Sequence, residues 1–384
     1  MSKTLRLGLV GLGLRGQGWL RNIKSIRDCH VTALCDTFPA LLKAGQAIVA
    51  DGDVRCYESF ERMLEDAPID AVAIVVAPEH QPDLIVKSVG ASKHVIAEVP
   101  LALTMDDCWR IVVAVEKSGV KFQLAEQVRF SSCTRQWKQM VSEGQLGKVL
   151  FCEGQYLHGM GNDRYWHDAE TGARVPFDQV GKRKLIKSRF WNLRHSILYL
   201  PHELSPLLHI LDDRVVRVTG MGTRPQSYRH EWFPQSDIEV ALMHTEKDTI
   251  LRLATTFTVE TLRGSEHCNR LIGVNGWVEQ ARTRSEKGKM WLAGMNDKRD
   301  VDWDAADDGP SDAAATGHDG MDYYPVATFV DAVLRDQPLY CDVYTAAETA
   351  APAILAAQSI EQGSVCLNVP DFRPGKNRKA GQLP

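Results

Sequence analysis

Tyr199 and His202 are residue types suited to moving protons, and they stand three positions apart in a stretch that reads YLPHELSP from residue 199 to 206. If this turn is helical, the two side chains share a face. An imidazole titrates near neutral pH and a phenol donates a strong hydrogen bond, so the pair can transfer protons. A structural histidine bonded to its own neighbours fits the same spacing. The stretch is not an H-E-x-x-H zinc signature, because Pro206 stands where the second histidine is required.

Three glycines near the N-terminus have the spacing of a dinucleotide-binding loop. Gly11, Gly13 and Gly16 follow an apolar run and precede a predicted helix. In a G-x-G-x-x-G loop the first glycine makes the tight turn, the second lets the backbone approach a pyrophosphate, and the third lets the helix pack on the strand. Asp36 ends the next predicted strand, about 20 residues on, where a carboxylate accepts hydrogen bonds from an adenosine ribose. It would repel a 2′-phosphate, so the pattern predicts NAD; the alternative is a plain strand–turn–helix with an ordinary aspartate.

The elements that must position these residues change in kind along the chain. Residues 1–127 alternate strand and helix patterns, which predicts a doubly wound parallel sheet with its ligand at the carboxyl ends of the strands. Beyond residue 128, longer alternating runs predict an open, mostly antiparallel sheet; these runs are 149–155, 215–222, 238–244, 250–259 and 270–278. We therefore expect an α/β protein with an NAD-binding Rossmann domain over 1–127 and an α+β substrate-binding and oligomerisation domain over 128–384. A long irregular arm over about 159–198 belongs to the second domain.

Composition limits the classes of protein to which the chain can belong. A length of 384 residues favours two domains. The formal net charge of -4 gives no reason to expect nucleic acid or an anionic membrane as a partner. No apolar run approaches the roughly 18 residues of a membrane span, and no signal-peptide pattern is found at the N-terminus. The nine cysteines are scattered, so neither a disulfide framework nor a metal site is expected. These features predict a cytoplasmic protein.

Several motifs together resemble the Gfo/Idh/MocA oxidoreductase superfamily, namely the glycine triplet, Asp36, the antiparallel second half and a strand that ends in Glu98-Val99-Pro100. Most dehydrogenases of that superfamily carry lysine at the position of Val99, and that lysine helps to deprotonate the alcohol being oxidised. A valine there resembles glycoside hydrolase family 109, whose members are NAD-dependent glycosidases. The chain is also similar to the related NAD-dependent sulfoquinovosidases.

Two further segments resemble family 109. Residues 199–206 are similar to its Tyr-x-x-His-Gly-Leu-Gly-Pro turn, with Glu203 and Ser205 in place of the glycines. Residues 318–323 are similar to its His-Gly-Gly-Met-Asp loop, although a glycine-containing loop before a helix would read the same way. Residues 342–348 and 369–372 also match in order, so the resemblance covers nearly the whole chain outside the arm.

This resemblance implies a glycosidase mechanism without net redox change. Hydride leaves C3 of the glycosyl unit for NAD, the resulting ketone acidifies the C2 proton, the aglycone is eliminated from C1, water adds, and the hydride returns. The resemblance implies proton transfer by His202 and Tyr199, and also by Tyr323. Expected cofactor contacts are Gly11, Gly13, Leu14, Arg15, Gly16, Asp36, Pro78, His80, Glu98 and Gln127. Ordinary strand-end polar residues are the alternative for Glu98 and Gln127.

The arm suggests a substrate class. Six lysines and arginines and no acid stand between Lys182 and His195. Such a cluster can bind a carboxylate, sulfonate or sulfate, which would suit an anionic glycoside such as a sulfoquinovoside or a glucuronide. A solvated loop or a subunit contact explains the charges equally well. The expected substrate contacts are Lys187, Arg189, Trp191, Arg194, His195 and His318.

Two other functions remain open for this chain. An NAD-dependent sugar dehydrogenase would release NADH, and Val99 argues against it. A non-catalytic nucleotide-binding protein would not need Tyr199 together with His202. In each case we expect a small-molecule ligand and a homo-oligomer, either a dimer or a tetramer.

Overall fold

A computed structural model describes residues 4–50, 52–159, 167–168, 173, 175, 179, 186–187, 193–229, 231, 233–259, 267–283, 285–295, 300–304, 309–376 and 378–384. The first part of the chain runs through β1 (Leu5–Val10), α1 (Leu14–Ile23), β2 (Cys29–Cys35), α2 (Pro39–Val49), β3 (Arg55–Tyr57), α3 (Phe60–Asp66), β4 (Ala71–Ile74), α4 (Gln81–Gly90), β5 (His94–Ala97), α5 (Met105–Ser118) and β6 (Phe122–Leu124). These six strands form one parallel sheet in the order β3-β2-β1-β4-β5-β6. The predicted doubly wound sheet is confirmed.

Burial explains why this sheet forms. All four residues of β4 are buried, as expected for a parallel strand that is covered on both faces. Helix α5 begins after the N-cap residue Thr104, whose hydroxyl accepts a hydrogen bond from the Asp107 amide at 3.1 Å. It ends at Gly119, whose φ of 67° is the left-handed conformation common at helix ends. Local signals therefore define this helix at both ends.

The second part of the chain contributes a 3-10 helix (Gln127–Phe130), α6 (Ser132–Ser142), β7 (Val149–Leu157), β8 (His167–Asp168), β9 (Ile186–Lys187), a second 3-10 helix (Ser196–Tyr199), α7 (Pro201–Leu211), β10 (Val215–Gly222), β11 (Glu239–Thr245), β12 (Ile250–Thr256), β13 (His267–Gly273), β14 (Gly276–Glu279), β15 (Gly288–Leu292), β16 (Val301–Trp303), a third 3-10 helix (Ala313–Ala315), α8 (Tyr323–Arg335), α9 (Val343–Glu361) and β17 (Leu367–Asn368).

Over the described ranges, the large sheet of this part has the order β16-β15-β14-β13-β7-β12-β11-β10-β17. Only β7 and β12 pair in parallel, so the expected mostly antiparallel sheet is confirmed. The single strand expected over 270–278 was wrong. It is a hairpin of β13 and β14, because Gly276, with φ 152°, allows the backbone to turn back on itself.

The helices of the second part cover one face of the large sheet and also return to the first sheet. Helix α7 packs on β7, and α9 packs on β10. Helix α8 instead buries Val326 and Phe329 in the cluster formed by β1 and α1. The Gln123 side-chain amide on β6 also holds α8 against the first sheet by donating a hydrogen bond to the Pro325 carbonyl at 2.6 Å. Together, this bond and the apolar contacts place the loop before α8 beside α1.

Two kinds of feature are absent from the described residues. No helix in these ranges is long and apolar enough to cross a membrane. The same ranges contain no group of three or more histidine, cysteine, aspartate or glutamate side chains placed to hold a metal ion.

Candidate active site

The three glycines of the predicted loop are required for different reasons. Gly11 has φ +90°, and a Cβ there would lie 2.2 Å from the Val75 carbonyl oxygen. A Cβ on Gly16 would lie 1.9 Å from the Gly11 carbonyl oxygen, so neither position can accept a side chain. A Cβ on Gly13 would meet nothing within 4 Å. Glycine at that position leaves open space directly before α1, where a pyrophosphate can approach the helix N-terminus.

Asp36 lies beside the glycine loop, directly after β2. Its carboxylate accepts hydrogen bonds from the backbone amides of Leu12 at 2.7 Å and Phe38 at 2.9 Å, and the residue is 9% exposed. These bonds hold the carboxylate between the glycine loop and the end of β2. Each carboxylate oxygen can accept more than one hydrogen bond, so ribose hydroxyls can still be bound. The loop and Asp36 together fit a dinucleotide.

Arg15 joins the ends of two elements that are far apart in sequence. Its guanidinium bonds to the Glu98 carboxylate and donates to both oxygens of Asp322 at 2.7 and 3.0 Å. Glu98 also accepts a hydrogen bond from the Trp19 indole at 2.6 Å. The end of β5, the helix α1 and the loop before α8 are therefore held together by one charged network.

Asp322 is the centre of the loop that includes residues 318–323. It accepts from Asn22 at 3.1 Å, and its carboxylate lies 3.0 Å from His318 Nδ1. Burial acts to raise the pKa of Asp322, but the hydrogen bond from His318 and the charge of Arg15 outweigh it and hold that pKa well below its ordinary value. Asp322 is therefore ionised at neutral pH and fixes the loop to α1.

His202 and Tyr199 come together as their spacing predicts. Tyr199 ends the second 3-10 helix, and His202 is the second residue of α7. Their rings meet edge to face with centroids 4.8 Å apart. His202 Nδ1 lies 2.9 and 3.1 Å from the two carboxylate oxygens of Glu126, which is fully buried just beyond β6. A buried carboxylate in this position fixes the orientation of the imidazole and favours a proton on Nδ1.

Two residues of this cluster, Glu126 and Tyr156, were not predicted from the sequence. Glu126 follows β6 at the carboxyl edge of the parallel sheet, and that position alone was a usable signal. Tyr156 on β7 lies with its ring centroid 6.0 Å from that of Tyr199 and 5.7 Å from that of His202. Nothing local in the sequence marks Tyr156, because only the packing of α7 on β7 brings it to the site.

Comparisons with known proteins agree with this arrangement. Residues 5–126 match the Gfo/Idh/MocA oxidoreductase family, NAD-binding Rossmann fold. Residues 136–379, more than half of the chain, match the C-terminal domain of glycosyl hydrolase 109. The chain belongs to glycosyl hydrolase family 109. The first domain is therefore an NAD-binding Rossmann domain, and this family 109 protein is an enzyme.

The relatives are distant but similar over nearly their full length. A glycosyl hydrolase family 109 protein of Saccharopolyspora erythraea is 26% identical over 97% of this chain and 84% of its own. A family 109 protein of Bacteroides thetaiotaomicron is 25% identical over 99% and 87%.

Solved structures show the same fold at lower identity. The scyllo-inositol dehydrogenase of Lactobacillus casei, with bound NAD(H) and scyllo-inositol, is 19% identical with a TM-score of 0.71, covering 95% of this chain and 99% of that one. The WlbA dehydrogenase of Bordetella pertussis, in complex with NADH and UDP-GlcNAcA, is 19% identical with a TM-score of 0.72, covering 96% and 99%.

The other predicted cofactor contacts of the family 109 protein lie near the carboxyl edge of the parallel sheet. Gln127 is buried, and its amide oxygen has no hydrogen-bond partner among the described residues. A buried acceptor of this kind requires a donor from water or from a ligand, so a cofactor contact by Gln127 stays a prediction. Pro78 is buried and His80 is exposed in the turn that leads into α4. Leu14 is the first residue of α1 and is 44% exposed.

Tyr323 is not brought to the His202 cluster. It is the first residue of α8, and its ring packs against the hydrophobic cluster of α1 and α8, whereas Tyr199 belongs to the other cluster. Burial raises the pKa of Tyr323. A role for Tyr323 in proton transfer remains a prediction.

The predicted substrate contacts are placed only in part. His195 is buried, with Nδ1 2.6 Å from Glu239 and Nε2 3.3 Å from Glu361. Burial acts to lower the pKa of His195, but the bonds to these two carboxylates outweigh it and raise that pKa. The side chain of His318 is half exposed and bonds to Asp322 near α1, and Arg194 is exposed. Arg189, Trp191 and the side chain of Lys187 lie outside the described residues, so the basic-arm hypothesis remains a prediction.

Proposed function

We propose that this enzyme is an NAD-dependent glycosidase that oxidises its substrate transiently at C3 and cleaves the glycosidic bond by elimination and water addition. The buried His202–Glu126 pair supports the proposal most directly. It lies beyond β6 at the edge of the sheet that carries the glycine loop and Asp36, which is where a sugar would meet a nicotinamide. Membership of family 109 supports the same reaction class.

Each residue has a defined task in this proposal. Bound NAD would be held by the glycine loop and Asp36, and it supplies a reversible hydride acceptor at C3. Because Glu126 favours a proton on His202 Nδ1, Nε2 is the basic nitrogen that can accept a proton from the sugar. Tyr199, edge-on to this imidazole, is placed to hold or donate a second proton.

The bonds and protons balance over one turnover. Loss of hydride and of the hydroxyl proton gives a ketone at C3, and the ketone acidifies the C2 proton. Removal of that proton forms the C1=C2 bond while the C1–O bond breaks, and its electron pair leaves with the aglycone oxygen, which gains a proton. Water then adds OH to C1 and H to C2, and return of hydride and a proton restores the C3 alcohol. The sum is hydrolysis.

A net sugar dehydrogenase is the second candidate. It shares the fold and the cofactor, and most dehydrogenases of the superfamily carry a lysine at the end of β5, whereas the resemblance to family 109 goes with a valine there. Val99 is 4% exposed at that place and carries no ionisable group. This favours the glycosidase.

One assay separates the two reactions. The purified protein is incubated with NAD and a panel of 4-nitrophenyl α- and β-glycosides, while nitrophenolate and NADH absorbance are recorded together. We expect nitrophenolate without accumulation of NADH, and deuterium at C2 of the sugar when the reaction runs in heavy water. Stoichiometric NADH would identify a dehydrogenase, and cleavage without deuterium at C2 would contradict the elimination.

We further propose an anionic sugar as substrate, on the basis of the six basic residues of the arm. Replacing Lys187 and Arg189 with alanine should raise KM for an anionic nitrophenyl glycoside, such as a glucuronide, far more than for a neutral one. Equal effects on both substrates would contradict this hypothesis.

A further inference from the structure

Glu203 is a buried carboxylate that the mechanism above does not use. It follows His202 in α7 and is fully buried, and its Oε1 bonds to Nδ1 of His267 on β13. Its Oε2 has no hydrogen-bond partner among the described residues. Burying a carboxylate is costly unless it is paired, so a fully buried glutamate indicates a specific role for its partner. The family turn that this stretch resembles has glycine at the position of Glu203.

Sheet register places Glu203 and His267 at the active site. His267 pairs directly with Tyr156 across β13 and β7, and their rings stack with centroids 4.8 Å apart. Two pairs further along, Asn269 faces Gly154. A Cβ on Gly154 would lie 2.6 Å from Asn269 Oδ1 and 3.4 Å from Glu203 Oε2. The glycine therefore leaves room in the sheet for the Asn269 side chain, next to the buried carboxylate.

Two histidine–carboxylate pairs consequently flank one tyrosine. Helix α7 contributes the imidazole of the first pair, His202 with Glu126, and the carboxylate of the second, Glu203 with His267. The Tyr156 ring centroid lies 5.7 Å from that of His202 and 4.8 Å from that of His267. The two imidazoles differ in accessibility, since the side chain of His202 is 6% exposed and that of His267 is 29% exposed.

We propose that His267, held by Glu203, is the acid that protonates the departing aglycone. This inference rests on the proposed function, in which elimination needs a base at C2 and an acid at the oxygen on C1. As the C1–O bond breaks, its electron pair stays on the aglycone oxygen, which takes a proton from His267. In the later addition of water, His267 takes a proton from the water that attacks C1 and so returns to its protonated form.

Charge and exposure assign the two pairs to different tasks. The buried Glu203 carboxylate stabilises the protonated form of the imidazole that it contacts, so His267 can hold a proton ready for donation. The more exposed imidazole, that of His267, is expected to face the aglycone, which leaves toward solvent. His202, which is almost fully buried, is expected to face the ring carbons of the bound sugar.

Leaving-group dependence tests this role. A nitrophenolate leaves without acid assistance, whereas a methoxide does not, so wild-type enzyme and variants are compared on nitrophenyl and methyl glycosides of the same sugar. His267→Gln should lower kcat/KM for the methyl glycoside by about 100-fold or more, the usual contribution of a general acid. For the nitrophenyl glycoside we expect a loss of less than about 5-fold, because the same acid contributes little there. Deuterium uptake at C2 should persist.

A matched control uses another histidine–carboxylate pair of the same sheet. His244 Nε2 lies 2.7 Å from Asp248 Oδ1 near the hairpin between β11 and β12. His244→Gln should leave both substrates unaffected. A merely structural role of His267 would instead reduce the two rates equally in His267→Gln, and this result would overturn the inference.

Glu203→Gln provides a second test if His267→Gln fails to fold. It keeps the shape of the side chain and removes its charge, so the alkaline limb of the pH profile on the methyl glycoside should move to lower pH. An unchanged limb would overturn the inference. Failure of the proposed function has a different signature, since the wild-type enzyme itself would then release no aglycone or show no deuterium at C2.

Discussion

Substitution of Gly13 separates cofactor binding from folding more cleanly than any other change in the glycine loop. The backbone of Gly13 has φ -61° and ψ -173°, which any L-residue adopts. A Cβ there meets no protein atom within 4 Å. Gly13→Ala should therefore change the free energy of unfolding by less than about 1 kcal/mol, because the reduced freedom of the unfolded chain is offset by poorer capping of α1 by alanine.

The same methyl group should impair NAD binding. It would occupy the space in front of α1 that a pyrophosphate needs, so we expect the Kd for NAD to rise by about 10-fold or more, equivalent to about 1.4 kcal/mol. Isothermal titration with NAD and urea unfolding of the apoprotein measure the two quantities separately.

Gly16→Ala is the matched comparison. Its Cβ would lie 1.9 Å from the Gly11 carbonyl oxygen, which is backbone and cannot move aside, so unfolding should become easier by about 1–3 kcal/mol. If Gly13→Ala bound NAD as tightly as the wild type, the pyrophosphate would not pass over Gly13. If Gly13→Ala unfolded as readily as Gly16→Ala, the inference that open space lies before α1 would be wrong.

Three further predictions concern other parts of the site. Asp36→Ala should weaken NAD binding by about 1.5–3 kcal/mol, the usual value of a hydrogen bond to a charged group, and should reduce discrimination against NADP; unchanged affinity in titration would contradict the placement of the ribose. His202→Ala should abolish nitrophenolate release while NAD binding is kept, and loss of both would mean a structural role. The pKa of His195 is raised in the folded state, mainly by Glu239 against the effect of burial, so its contribution to stability is complete below about pH 6.5 and is lost as pH rises through the raised value. Urea unfolding across that range should show this loss in the wild type and not in His195→Gln.

Much of the parallel sheet could be predicted because its signals are local. The cap at Thr104, the stop at Gly119 and the apolar run of β4 each depend on neighbours within one element. The hairpin at Gly276 could not be predicted in the same way. The alternation of apolar and polar residues continues from β13 through the tight turn into β14, because both strands bury one face in the same core.

The sequence by itself determined the glycine loop from which NAD binding is predicted. Backbone geometry requires glycine at positions 11 and 16, and Gly13 and Asp36 complete a spacing that can be recognised without knowing the fold. Only the tertiary structure decided what surrounds His202 and Arg15. Glu126 meets His202 across 76 residues of chain, and Arg15 meets Asp322 across 307. Such contacts leave no periodic pattern, because they arise where packing of helices on two sheets brings separate strand ends and loops together.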